Sequence, residues 1–231
     1  MEAILLEIKG KWAQFRKAET NNNPLSHDFM TKTAFIGLLG AVIGVERNQM
    51  RQHFPLLCDG LVFGLQINNE VQKQSWGFTF RSVTHAWEKA PKQMEFIKDP
   101  NYTILLGLKD EGCREQFEYF RAHIKEGKAC YPPVLGLHNC PADIKFLESG
   151  IIESKQGNFE TYGFVTTDYQ PIIDNMSEFR IGFDKIPTFQ DDNFWNVPER
   201  FVSVTYPSNQ RKLLVSGEFH EFNKQTQWCL I

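Results

Sequence analysis

The sequence is poor in the features that would mark an enzyme, a metalloprotein or a secreted protein. Its five cysteines, Cys58, Cys113, Cys130, Cys140 and Cys229, are odd in number and irregularly spaced, and no C-x-x-C pair occurs. That pattern excludes a disulfide framework and points to free thiols in a reducing compartment. Only His138 and Cys140 stand close together, too few ligands for zinc, so neither a metal nor another cofactor is expected. The longest apolar run, Ala34 to Val45, falls short of the roughly 20 residues needed to span a bilayer. The first residues lack the basic, apolar and small succession of a signal peptide. A cytoplasmic protein without a membrane partner is therefore expected. No G-x-S-x-G, H-E-x-x-H or Walker loop is present. Gly37, Gly40 and Gly44 lie within a helical pattern rather than at a strand-to-helix turn, which removes the dinucleotide-binding reading.

What is present is enough for a sizeable core: 231 residues, 42% of them hydrophobic, with a net charge of −3. The charge is uneven. Residues 1–100 carry 12 Lys/Arg against 10 Asp/Glu, and residues 101–231 carry 13 against 18. The first part is thus mildly basic, as contact with RNA would require, although ordinary fluctuation accounts for the counts equally well.

The apolar run at residues 3–8 predicts a strand. A polar loop follows, of the length that usually carries function. Residues 31–47 predict a helix, with Phe35, Leu38, Leu39, Val42 and Ile43 at helical spacing and Thr31 or Thr33 as its cap. Its three glycines serve either close packing of the helix on a sheet or a backbone surface for a ligand. Residues 61–67 predict a second strand, 68–94 an extended hairpin or insertion, 96–108 further strand broken at Asp99-Pro100-Asn101, and 114–126 a second helix. Val134 to Leu137 predict a fourth strand. The order is βαββαβ, that of ferredoxin-like and RNA-recognition folds. Beyond about residue 145 only short alternating runs remain, at 162–166, 180–183 and 201–206. The last of these, with 211–215, reads as a hairpin. The expected architecture is α+β: a ferredoxin-like domain over 1–145 with a thumb at about 68–94, and a small β-rich unit over 146–231.

Two stretches mix cations with aromatics. Lys9, Lys11, Trp12, Phe15, Arg16 and Lys17 crowd the first loop, and Lys73, Trp76, Phe78, Phe80, Arg81, His85, Trp87, Lys89 and Lys92 populate the insertion. Lys and Arg neutralise phosphates while aromatic rings stack on unpaired bases, the combination that single-stranded RNA demands. A solvated loop with its two aromatics tucked into the core is an equal reading of the first stretch, and a plain amphipathic hairpin is the bland reading of the second. His138, Lys128 and Tyr131 lie near one another in sequence and are the residue types of a metal-independent ribonuclease. A hydrogen-bonded structural histidine is the commoner role.

Taken together, these pieces resemble one family. Gly10-Lys11-Trp12-Ala13-Gln14-Phe15-Arg16, a polar loop, and then Thr31-Lys32-Thr33-Ala34-Phe35-Ile36-Gly37-Leu38-Leu39-Gly40-Ala41-Val42-Ile43-Gly44 resemble the N-terminal signature of the fifth Cas family. These are the RAMP proteins that cap the Cascade backbone. Glu95 to Tyr102 and Tyr131 to Cys140 are similar to that family's third and fourth strand regions. The resemblance covers residues 1–145. It implies a non-catalytic RNA-binding subunit of a prokaryotic type I CRISPR complex, type I-B-like, that holds the 5′ handle of the crRNA. The implied partners are the crRNA, the backbone RAMP subunits and the large subunit, with target DNA met indirectly through base pairing. On this resemblance Lys11, Gln14, Phe15, Arg16, Thr31 and Lys32 hold the handle, and Arg47, Asn48 and Arg51 meet RNA phosphates or a partner. Trp76, Phe80, Arg81 and His85 belong to the thumb. Another branch of the family cleaves precursor crRNA, and a purely structural scaffold is a third reading.

Overall fold

The computed structural model describes residues 1–20, 22–81, 89–172, 180–191, 193 and 197–231. In chain order the elements are β1 (Glu2–Lys9), β2 (Trp12–Ala13), α1 (Lys32–Ile43), α2 (Arg47–Gly60), β3 (Leu61–Ile67), β4 (Gln72–Arg81), β5 (Lys89–Lys98), β6 (Asn101–Leu108), α3 (Arg114–Lys125) and β7 (Asp143–Thr161). The rest is strand: β8 (Val165–Thr166), β9 (Gln170–Ile172), β10 (Ile181–Phe189), β11 (Arg200–Pro207), β12 (Leu213–Phe222) and β13 (Thr226–Trp228). The fold is mixed α/β, mostly sheet with few helices.

The main sheet runs β13-β12-β7-β1-β6-β3, antiparallel throughout. Its inner strands β7-β1-β6-β3 are joined in the chain order β1, α1, α2, β3, β6, α3, β7, with the β4–β5 ladder inserted between β3 and β6. β1 alternates, so Ile4, Leu6 and Ile8 are buried on the face that a strand of period two presents to the helices. α1 and α3 cover that face: Phe35 packs edge-on to Phe120 at 5.9 Å and against Phe63 at 5.5 Å.

α1 starts and stops as its sequence demands. The Thr31 side chain accepts the Ala34 amide at 3.3 Å, and Gly44 closes the helix at φ +81°, a conformation that suits glycine. The stop comes before residue 47, and a helix not expected from the sequence follows at once. α2 buries Met50, Phe54, Leu57 and Cys58, a helical stripe that the central Pro55 disguises.

Three expectations need correction. Val134 to Leu137 are a compact loop, with Val134 bridging Pro141 and Leu135 donating to the Cys140 carbonyl at 2.7 Å. The fourth strand is β7, beyond the prolines that cannot donate to a ladder. Residues 201–206 and 211–215 do not form a hairpin, because β11 pairs with β10 and β8 while β12 joins β7. The boundary near residue 145 falls inside β7, which pairs with β1 and then with β12. The later strands also share the main core, where Phe29 lies 4.9 Å from Tyr206 and 5.8 Å from Phe164.

β4 and β5 form an antiparallel ladder from Gln72↔Lys98 to Arg81↔Lys89. Its root is an aromatic knot: Trp12 meets Trp76 at 4.5 Å, and Phe96 meets Trp76 at 5.3 Å. Among the described residues no helix is long and apolar enough to cross a membrane.

Candidate nucleic-acid interface

The glycines of α1 divide between their two possible roles. At Gly40 a Cβ would lie 2.6 Å from the Met50 sulfur, so this glycine lets α2 pack close. The packing is of helix on helix rather than of helix on sheet. At Gly37 a Cβ would meet nothing within 4 Å. Thr33, Ala34, Gly37 and Ala41, the small residues of that side of α1, face an open groove instead of a neighbouring element.

Two adjoining hollows make up the groove. The first, about 520 Å³, is walled by Gln14, Phe15 and Arg16 on one side and by Val134, Gly136 and Leu137 on another, with Phe54, Pro187 and Pro198 completing it. The second, about 480 Å³, shares Gly37, Ala41 and Phe54 and adds Met50, Arg47, Glu46 and Tyr131. The segment at Gln14, just past β2, and the 134–137 loop are joined by a hydrogen bond from the Gln14 amide to the Leu135 carbonyl at 3.0 Å. Gly136, at φ +91°, lies against the Gln14 carbonyl, where a Cβ would sit 1.8 Å away.

The groove is apolar along its floor and carries a guanidinium at each end, with Glu46 beside the second. Arg16, whose Nε donates to the Thr20 carbonyl at 3.2 Å, stands at one end, and Arg47 at the other. Arg51 follows one turn along α2 and is exposed. The start of α1 borders the first hollow through Thr31 and Thr33, and its first turn contains no acidic residue. The positive end of the helix dipole is therefore uncompensated there, and such an end favours anions. Apolar floor, flanking guanidiniums and a helix start together suit a strand of phosphates carrying unpaired bases.

The family model described as "CRISPR-associated protein (Cas_Cas5)" matches residues 3–169. The chain belongs to the Cas5 family. A comparison with curated proteins gives no match. Solved structures share the Cas5 chain's fold at low identity. A CRISPR protein from Archaeoglobus fulgidus is 11% identical with a TM-score of 0.62, over 99% of this chain and 98% of that one. A chain of a CRISPR RNA-guided surveillance complex is 10% identical with a TM-score of 0.53, over 92% and 91%. A chain of the Type III-B Cmr-beta complex bound to cognate target RNA and AMPPnP is 9% identical with a TM-score of 0.50, over 92% and 86%.

Within this Cas5 chain the residues picked out by sequence do not all converge. Gln14, Phe15, Arg16 and Thr31 line one hollow, and Arg47 lines the next. Asn48 and Arg51 are exposed on the first turns of α2. Lys11 lines a different hollow and reaches Asp99 at 3.4 Å. Phe15 is a core residue packed near Tyr102, so its ring is not available for stacking on a base. Gln14 is only 3% exposed, and its Nε2 has no partner. Lys32 is not on the surface either: it is 5% exposed, and its ammonium donates to the Ile231 main-chain oxygen at 3.1 Å. The Trp76 ring is committed to the knot with Trp12 and Phe96. Phe80 and Arg81 end β4, their side chains outside the description, and His85 lies outside the described residues.

The ribonuclease set fares differently. His138 is exposed, Lys128 pairs with Glu126 at 2.7 Å, and among the described residues no hydrogen bond or ion pair links His138, Lys128 and Tyr131. No group of three or more His, Cys, Asp or Glu among the described residues could hold a metal ion. Sequence reasoning missed the groove's far wall, Phe54, Pro187, Gln190 and Pro198.

Gly37 offers a direct test of the groove. Gly37→Ala should stabilise the fold by about 0.5–1 kcal/mol, because alanine is the better helix residue and the space is empty. Gly37→Leu should leave the fold intact and obstruct the groove, lowering RNA affinity. Thermal melting and RNA titration of both variants check this.

Proposed function

We propose that this Cas5-family chain is the non-catalytic crRNA-binding subunit of a type I CRISPR effector complex, seating the 5′ handle in the α1 groove. The observation that carries the reading is the open Gly37 face of α1, floored by apolar residues and flanked by Arg16 and Arg47. On this reading the βαββαβ unit is ferredoxin-like, and the β4–β5 ladder is the root of a thumb that bends the RNA. Lys11 lies outside the groove, paired with Asp99. Backbone RAMP subunits and the large subunit are the protein partners, and target sequence is read by base pairing.

The test is a titration of the purified chain with labelled repeat RNA and with cleaved crRNA, in chelator, over a range of salt. Salt-weakened binding of the handle without cleavage supports the reading, since neutralised phosphates release counterions. Specific cleavage in chelator makes the chain a processing nuclease, and negligible RNA affinity of the chain alone makes it a scaffold. Among the described residues Arg47 and Arg51 have no acidic partner within salt-bridge distance, so their charges are available to phosphates. Arg47→Ala and Arg51→Ala should each lower affinity at every RNA sequence tested and reduce the salt slope by about one.

A further inference from the structure

Of β10 and β11 only Pro187 lines the groove, yet the two strands grip the loop that carries Arg16. That loop is two antiparallel legs. Lys17 donates its amide to the Leu25 carbonyl at 2.9 Å, His27 donates its amide to the Phe15 carbonyl at 2.8 Å, and Arg16 bridges Ser26. One carboxylate spans both legs. Asp184 of β10 takes the Lys17 ammonium at 2.9 Å on one oxygen and meets His27 Nδ1 at 2.9 Å on the other. The Asp184 side chain is only 5% exposed. Burial alone would push its carboxyl upward, but the hydrogen bonds from His27 and Lys17 prevail and hold it well below the usual carboxylate range. It stays ionised and paired.

The next residue repeats the arrangement. Asp28 accepts from the Tyr206 hydroxyl of β11 at 2.5 Å and pairs with Lys73 of β4 at 2.6 Å. Lys73 also reaches Glu95 of β5 at 2.9 Å and the Ser26 carbonyl at 2.6 Å. The loop is therefore fixed on one side to β10 and β11 and on the other to the root of the β4–β5 ladder.

We propose that Asp184 is a positioning residue for RNA binding, acting through Arg16: by clamping Lys17 and His27 it holds the loop so that Arg16 meets a phosphate at the groove mouth. This rests on the crRNA-binding reading and gives the strands after residue 146 a part in it. A loop ordered before binding does not lose that freedom on binding, so the clamp raises affinity without touching RNA.

A double-mutant cycle on the full chain tests it, with Arg16→Ala, Asp184→Asn and the double variant titrated against cleaved crRNA. Asp184→Asn is expected to bind about tenfold more weakly, with the salt slope reduced by about one, as in Arg16→Ala. The double variant should be no weaker than Arg16→Ala alone, because the two act as one. Additive losses overturn the proposal, since a general loss of fold integrity does not pass through Arg16. Equal or tighter binding by Asp184→Asn also overturns it and makes the carboxylate a mere screen on Lys17. If Asp184→Asn does not fold, His27→Phe, which removes the ring nitrogen that meets Asp184, takes its place with the same criteria. A wild-type chain that does not bind crRNA defeats the functional reading itself, a result distinct from a failed cycle.

Discussion

Gly136→Ala is expected to lower the melting temperature by about 10 °C and to reduce RNA affinity along with it. Two causes add. The residue sits at φ +91°, where a Cβ costs roughly 1–2 kcal/mol. That Cβ would also lie 1.8 Å from the Gln14 carbonyl oxygen and 2.8 Å from its carbon, so the loop or the segment at Gln14 must move, at about 1–3 kcal/mol. The sum, roughly 3–4 kcal/mol, corresponds to a shift of about 10 °C in a chain of this size. Gly127 supplies the control: its φ is +64°, but nothing lies within 4 Å of its would-be Cβ. Gly127→Ala should show the backbone cost alone, a few degrees in melting temperature, with RNA binding unchanged. Equal effects of the two substitutions would mean that the close approach of the two groove walls does not matter.

Lys32→Met should make the protein more stable. Burial pushes the Lys32 ammonium down from the ordinary 10.5 to about 8, so at neutral pH the folded state carries a charge that it holds at a penalty. The 2.5 units between 10.5 and about 8 correspond to about 3 kcal/mol. Losing the hydrogen bond to the Ile231 oxygen returns about 1 kcal/mol of that, leaving a net gain of roughly 2 kcal/mol at pH 7. The sign with pH follows from proton counts. Between pH 8 and 10.5 the unfolded chain holds more protons at this position than the folded one, so the Lys32 contribution to stability rises with pH across that window and is flat outside it. Burial pushes the Cys58, Cys113 and Cys229 thiols up to about 11. They act in the opposite sense above pH 9, where the unfolded chain loses their protons first. The wild-type-minus-variant difference in denaturant stability, measured from pH 7 to 10, isolates Lys32. A difference that stays constant across the range would show that the ammonium is not penalised by burial. RNA affinity should be unchanged in Lys32→Met, and its loss would return Lys32 to the handle site.

The parts of the fold that announced themselves were those with long, undisturbed periodicity. β3 and α3 lie where the apolar run at 61–67 and the Phe117, Phe120 and Ile124 stripe place them, and Asp99, at φ +45°, makes the expected break between β5 and β6. α2 escaped because Pro55 sits in its middle, although Met50, Phe54, Leu57 and Cys58 keep helical spacing around it. The 134–137 loop passed for a strand because four apolar residues cannot reveal whether their amides find a ladder. The separation of β11 from β12 depends on where Tyr206 and Leu213 are buried, which no local pattern contains. The site was legible only along its near wall. Gln14, Arg16 and Thr31, which the family resemblance singles out, do line one hollow. Phe15 and Lys32 are singled out by the same resemblance and are buried, because an aromatic or a lysine looks alike in sequence whether it faces water or core. Phe54, Pro187 and Pro198 have no chemistry to attract notice, and distant segments bring them to the groove.

β7 sets the timetable on which the chain can fold. β1 lies between β6 and β7, with Leu6 opposite Ile104 on one side and Phe146 on the other. On a ribosome, the first strand made must therefore wait for about one hundred residues before its first neighbour emerges, and for Ile151 to meet Glu2 before its second edge is covered. Contacts so distant in sequence close slowly. Until then the nascent chain carries an apolar strand with two open edges, the kind of species that associates with other chains. Slowing synthesis across residues 110–150 would therefore be expected to lower the soluble yield more than an equal pause after residue 165.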